Sequence, residues 1–144
     1  MQELIEIAEK YAAAEAAGDL EATLNTFESE PVFELYPIGL RLTGAENVRC
    51  FYRHFFAHIA PRMVRDRERS HGEWRGKTGL VKEYQIAYRY AEASEPHDRA
   101  WMFRVLKVIT FGDRALRGAH IYADENLLKI MFAPVWDDLE IIEG

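Results

Sequence analysis

The sequence predicts an α+β domain: three N-terminal helices packed on a strongly curved, cone-shaped antiparallel sheet that encloses one pocket. A change of period carries that expectation. Through about residue 60 the apolar residues recur at helical spacing, and from Met63 onward they alternate at period 2, the repeat of strands joined by tight turns. Nothing in the chain reads as a repeat, a linker or a low-complexity stretch, so residues 1–144 are expected to form one domain, helices first and sheet second.

Helix one is expected over Gln2–Ala17, with Leu4, Ile7, Ala8 and Tyr11 on one stripe and Glu3, Glu6 and Glu9 toward solvent. Gly18 ends it and Asp19 caps a second helix over Leu20–Phe27. Pro31 separates that helix from a first strand, VFELYPIGLRL, on which period 2 puts Glu34 and Tyr36 on one face. Thr43 and Glu46 stand in capping-box spacing before a third helix, whose stripe of Val48, Phe51, Tyr52, Phe55 and Ile59 faces the core; Pro61 marks its end. The sheet should follow as MVRDRERSHGEW, breaking at Gly72, then GLVKEYQIAYRYAE, with Tyr84, Ile86, Tyr88 and Tyr90 on one face. A hairpin of RAWMFRVLKVITF and ALRGAHIYA turns across Gly112-Asp113. In its second arm Gly118, His120 and Tyr122 share a face with Leu116. The first arm is apolar on both phases, so Arg104 either shares the pocket or points away from it. The tail reads as a short helix capped by Asp124, then an extended piece anchored by Trp136.

Composition narrows the function classes. A chain of 144 residues, 49% hydrophobic, can bury a sizeable core, and a net charge of −6 argues against nucleic-acid binding, which needs a basic face. A single cysteine, Cys50, excludes an internal disulfide and suits a reducing compartment. The N-terminus lacks the layout of a signal peptide, and no apolar run approaches the roughly 18 residues of a membrane span, so a soluble cytoplasmic protein with no membrane partner is expected. Cys50, His54 and His58 fall on one helical strip, but with no acidic ligand nearby in sequence no metal is expected, and no cofactor. Apolar residues left on the back of the sheet, among them Trp74, Val81, Ala87 and Trp101, predict a homodimer.

The order of helix, GDL turn, helix, strand with Pro-x-Gly, capped helix with FY, and long meander resembles the nuclear transport factor 2-like superfamily, which includes ketosteroid isomerase and the SnoaL-like polyketide cyclases. The run GAHIYADENLL is similar to the SnoaL-like ending. The resemblance spans nearly the whole chain and implies a small-molecule enzyme working by proton transfer. In the isomerase a carboxylate base acts beside an oxyanion hole of a tyrosine and a protonated aspartic acid. Tyr11 matches the oxyanion tyrosine and Tyr52 the tyrosine that supports it. The base position holds Tyr36, with Glu34 the nearest carboxylate, and the oxyanion aspartate falls at Leu106 or Lys107.

Tyr11, Tyr36, Tyr52 and His120 come from four separate elements, which in a cone can meet only in the pocket. These residues, with Glu34 or His120 as proton carrier, are therefore the expected catalytic group, and Phe55, Tyr84, Ile86, Tyr88, Arg104, Gly118 and Tyr122 the expected lining around a small apolar ligand. The expected reaction is an isomerisation, cyclisation or dehydration of an apolar, ring-bearing carbonyl compound. A non-catalytic binding or accessory role on the same fold is the alternative, with the tyrosines satisfying one another as a structural network.

Overall fold

The computed structural model describes residues 2–89 and 100–143. Helix α1 spans Gln2–Ala17 as expected; Ile5, Ala8, Tyr11 and Ala14 form its buried face, while Leu4 and Ile7 of the expected stripe are only partly buried. Helix α2 is a single turn, Leu20–Leu24, capped by the Asp19 carboxylate, which accepts from the Ala22 N–H. It is shorter than expected because strand β1 (Phe27–Tyr36) begins at Phe27. Pro31 lies inside β1, at an irregularity in its pairing between Phe27 and Val32, where the missing N–H costs no ladder bond. A turn through the cis bond Tyr36-Pro37 leads to β2 (Leu40–Thr43), so the expected single strand is a hairpin.

Helix α3 (Ala45–His54) starts at Gly44 without a side-chain cap. Thr43 belongs to β2, and its carbonyl accepts from Asn47 Nδ2, so the capping-box reading fails. The helix continues through a wider turn at Phe55–Ile59 and a tighter one at Ala60–Arg62. Its stripe buries Val48, Phe51, Tyr52 and Ile59, with Phe55 partly buried. After a short helical turn at Arg65–Arg67 come β3 (Arg69–Arg75), shifted in register at Ser70/Gly72, then β4 (Gly79–Tyr88), β5 (Trp101–Phe111) and β6 (Leu116–Tyr122). Tyr90 lies outside the described residues. Helix α4 (Glu125–Met131) carries the expected Asp124 cap. Trp136 sits in a helical turn, Ala133–Asp138, rather than an extended piece, and β7 (Glu140–Ile141) pairs with β2.

The class is α+β, and the sheet is curved and open, in the order β3-β4-β5-β6-β1-β2-β7. It is mixed rather than wholly antiparallel: β1 runs parallel to β6 while the other pairs are antiparallel. Cross-strand partners share a face, so register sorts the side chains. One inner row runs Leu80, Ile109, Ala119, Phe33, Leu42, and the next runs Lys82, Lys107, Ile121, Leu35, Leu40. These pack under α1 and α3 with an aromatic cluster in which Phe51 stacks on Phe132 at 4.1 Å. The outer face carries the row Trp74, Val81, Val108, His120, Glu34, Arg41, and beside it Glu83, Leu106, Tyr122, Tyr36.

Candidate active site

The inner face of the sheet and the helices enclose a cavity of about 220 Å³ lined mainly by Phe33, Phe51, Phe55, Ile86, Ile109 and Ile121. One end is polar. Tyr11 and Glu15, one turn apart on α1 and so on one face, meet Lys107 from β5 there, and Tyr52 closes the group from behind. The hydroxyls of Tyr11 and Tyr52 lie 2.7 Å apart and donate to Glu15 Oε2 at 2.6 and 2.9 Å. Lys107 Nζ donates to the same Oε2 at 3.3 Å and to the Tyr11 oxygen.

The proton count of this group is informative. The two phenols have two hydrogens for three contacts, so they are spent within the network. The Lys107 ammonium uses two of its three N–H bonds, which leaves one for a ligand oxygen. Every bond to Glu15 falls on Oε2, so Oε1 has no partner among the described residues, and the side chain keeps 27% exposure on the cavity wall.

Burial raises the Glu15 carboxyl, but the Lys107 ammonium and the hydrogen bonds from Tyr11, Tyr52 and Lys107 outweigh that and hold it below the usual range. Burial, then the Glu15 charge, pushes Tyr11 and Tyr52 well above an ordinary phenol. Tyr84, also on the cavity wall, is raised for the same two reasons. The site therefore holds an ionised carboxylate, a lysine and neutral phenols against an apolar wall.

The structure divides the expected catalytic group. Tyr11 and Tyr52 come together as the helical stripes predict, and Phe55, Tyr84 and Ile86 line the cavity. Glu34, Tyr36 and His120 lie on the outer face, separated from that cavity by the sheet. There the Glu34 carboxylate accepts from the Tyr36 hydroxyl and lies 3.2 Å from His120 Nε2, while Tyr122 stacks on Tyr36 at 4.9 Å. The physical reason is register: Phe33 pairs with Ala119 and Leu35 with Ile121, both apolar pairs turned to the core, so the intervening polar residues point outward.

Four lining expectations are corrected with it: Tyr122 lies in this outer cluster, and three others leave the cavity for reasons of their own. Arg104 points outward and donates to Glu83 at 2.6 Å, because Val105 and Lys107 hold the inner phase. Gly118 makes no room for a ligand: it faces β1, where an added Cβ would collide with the Val32 carbonyl. Tyr88 is buried beside the bridge to Met63 and does not line the cavity. On α3, the His54 and His58 rings stand 5.4 Å apart with His54 Nε2 at 2.9 Å from the Ile130 carbonyl, and among the described residues no group of three side chains is placed to hold a metal ion.

Sequence reasoning missed Glu15, and it reached Lys107 only as one of two positions, with Leu106, for the oxyanion aspartate that the resemblance implies. Glu15 follows Tyr11 by four residues, a spacing that puts it on the buried stripe. Lys107 is the one charged residue on the Val105/Ile109 phase of β5.

No protein-family model matches the chain, and no curated protein matches it in sequence. Solved structures do. An NTF2-like protein of unknown function from Burkholderia pseudomallei superposes with a TM-score of 0.68 at 16% identity, over 92% of this chain and 98% of that one. An LEH-like epoxide hydrolase from Mycobacterium tuberculosis gives 0.65 at 15% identity, covering 92% of each. A protein designed de novo for diverse pocket structures gives 0.67 at 17%, over 84% and 98%. The chain has the nuclear transport factor 2-like fold. Among the described residues no helix is long and apolar enough to cross a membrane.

Proposed function

We propose that the protein is a cofactor-independent enzyme that moves a proton on an apolar, ring-bearing carbonyl compound, with Glu15 as base and Lys107 as the donor to the carbonyl oxygen. The observation that carries this is the asymmetry of Glu15: one carboxylate oxygen is tied down by three donors and the other has no partner among the described residues. A base needs its lone pair free and its position fixed, and this arrangement supplies both. The Lys107 N–H left over would stabilise the enolate oxygen formed when Glu15 Oε1 takes the neighbouring C–H proton, in a site the apolar wall keeps dry. Return of the proton at another carbon completes an isomerisation. Tyr11 and Tyr52 act as positioning residues that hold Glu15.

A second reading has its own support. The same carboxylate and donor are suited to activate a water and protonate a strained ether oxygen, the requirement of epoxide hydrolysis, and a neighbour in fold is described as an epoxide hydrolase. Non-catalytic binding in the cavity is the alternative to both, favoured by the way Tyr11 and Tyr52 spend both their hydrogens on Glu15.

The outer face supports a homodimer. Trp74, 52% exposed, continues through Val81 and Val108 in one row, and Tyr122 is 41% exposed beside it. Ala87 is fully buried, and Trp101 lies in the inner phase opposite Tyr88, so the expected patch is narrower. Sedimentation at the 16.7 kDa of one chain would contradict the dimer. A cytoplasmic location rests on the single Cys50, a free thiol.

A panel of steroid ketones and aromatic polyketides in heavy water tests the enzyme reading by NMR. Deuterium uptake next to the carbonyl, abolished in Glu15→Gln, is the expected result. Binding without exchange, indifferent to that substitution, would leave the non-catalytic role.

A further inference from the structure

We infer that Lys107 is a covalent attachment point for the carbonyl group, forming an iminium in the cavity. The inference rests on the reading above only in requiring that a carbonyl compound enters this space.

Lys107 is 7% exposed, and what exposure it has is on the cavity wall, where Val105 and Ile109 flank it on the same strand. Its Nζ sits over the Tyr11 ring, 4.6 Å from the centroid, and 3.3 Å from Glu15. Directly across the ladder stands Lys82, whose side chain lines the same cavity and whose ammonium is 3.9 Å from Glu73. A lysine becomes a nucleophile when its ammonium proton has an acceptor within reach, and the Tyr11 and Glu15 oxygens both stand within hydrogen-bond range of Nζ.

The chemistry balances within the site. Glu15 takes a proton from the ammonium, and the freed amine attacks the carbonyl carbon, forming the C–N bond as the oxygen picks up that proton. The carbinolamine loses its oxygen as water, which carries the second proton of the nitrogen by way of Glu15. One ammonium and one carbonyl thus give one iminium and one water, with charge conserved. The iminium nitrogen occupies the former position of the ammonium, so its positive charge inherits Glu15 as partner, and no oxidant or metal is needed. Oxygens of Tyr11 and Glu15 lie within bonding range of that nitrogen to pass protons.

The test is reductive trapping of the full-length protein with benzaldehyde and cyanoborohydride, read by peptide mass mapping. Labelling of Lys107 at least about tenfold faster than of Lys10, Lys77, Lys82 and Lys129 is expected, since a positioned amine gains effective concentration. In Lys107→Arg the fast adduct should vanish while slow surface labelling persists. Should that variant fail to fold, the wild-type map alone decides. Equal labelling of all five lysines, or labelling that spares Lys107, would overturn the inference. Deuterium exchange that depends on Glu15 while Lys107 stays unlabelled would overturn the covalent step and leave proton transfer standing; a trapped Lys107 adduct without exchange would do the reverse.

Discussion

The two faces of the sheet carry the same chemistry in different surroundings. Inside, Glu15 accepts from two tyrosines and faces a lysine; outside, Glu34 accepts from one tyrosine and faces a histidine. The two carboxylates are similarly exposed, 27% for Glu15 on the cavity wall and 23% for Glu34, but their partners differ: the Lys107 side chain is 9% exposed and that of His120 33%. The cause of the phenol shifts records the difference. Burial is the largest influence on Tyr11, while Tyr36 is pushed up to about 12 chiefly by its hydrogen bond to Glu34. Similar groups are therefore held differently, because the inner tyrosines and lysine are buried and the outer tyrosine and histidine are reached by water.

The largest effect that can separate the faces is removal of the inner cation. Lys107→Met strands the Glu15 carboxylate against apolar groups and should cost about 3–5 kcal/mol in chemical denaturation. Adding Glu15→Gln should restore much of it. If Lys107→Met is as stable as wild type, the inner group is not a desolvated ion pair.

Next come the phenols. Tyr11→Phe leaves Lys107 and Glu15 each short of a bond and should cost about 1–3 kcal/mol. Tyr36→Phe on the wetter face should cost less, and equal losses would erase the contrast.

Acid should act through the inner face too. The folded-state pKa of Glu15 is depressed, so its contribution is present above the ordinary carboxylate pKa and disappears as pH falls through the folded value. Glu15→Gln should therefore flatten the acid limb of the stability profile. Toward alkali the raised phenols reverse the sign: the unfolded chain loses tyrosine protons near pH 10 while the native Tyr11 and Tyr52 keep theirs, so stability declines above that point.

The smallest effect is expected from His120→Ala, within about 1 kcal/mol, as for a solvent-screened pair. A larger loss, or lost ligand affinity in that variant, would mean the outer cluster has a role beyond the surface.

The sequence made one face legible and misread the other. Helical stripes placed Tyr11 and Tyr52 correctly because burial on a helix repeats over many residues, and Leu4, Val48 and Phe51 mark the same faces. On β6 only two phases exist, and chemistry-bearing His120 and Tyr122 competed with Ala119 and Ile121 for the inner one. The apolar phase went inward, as desolvation demands. Lys107 was reached only through the resemblance and not separated from Leu106, because Leu106 and Val108 are as apolar as Val105 and Ile109, so β5 offered no phase of its own.

The parallel pairing of β1 with β6 sets an order of assembly. The β1–β2 hairpin emerges from the ribosome early, yet one edge of β1 must wait for Leu116–Tyr122 before its N–H and C=O groups find partners. Closure of so long a loop comes late and slowly, leaving a nascent chain with an open, apolar strand edge. Gly118, pressed against the Val32 carbonyl, is the point of that closure. Gly118→Ala should accordingly slow refolding more than it speeds unfolding, in stopped-flow measurements of both rates.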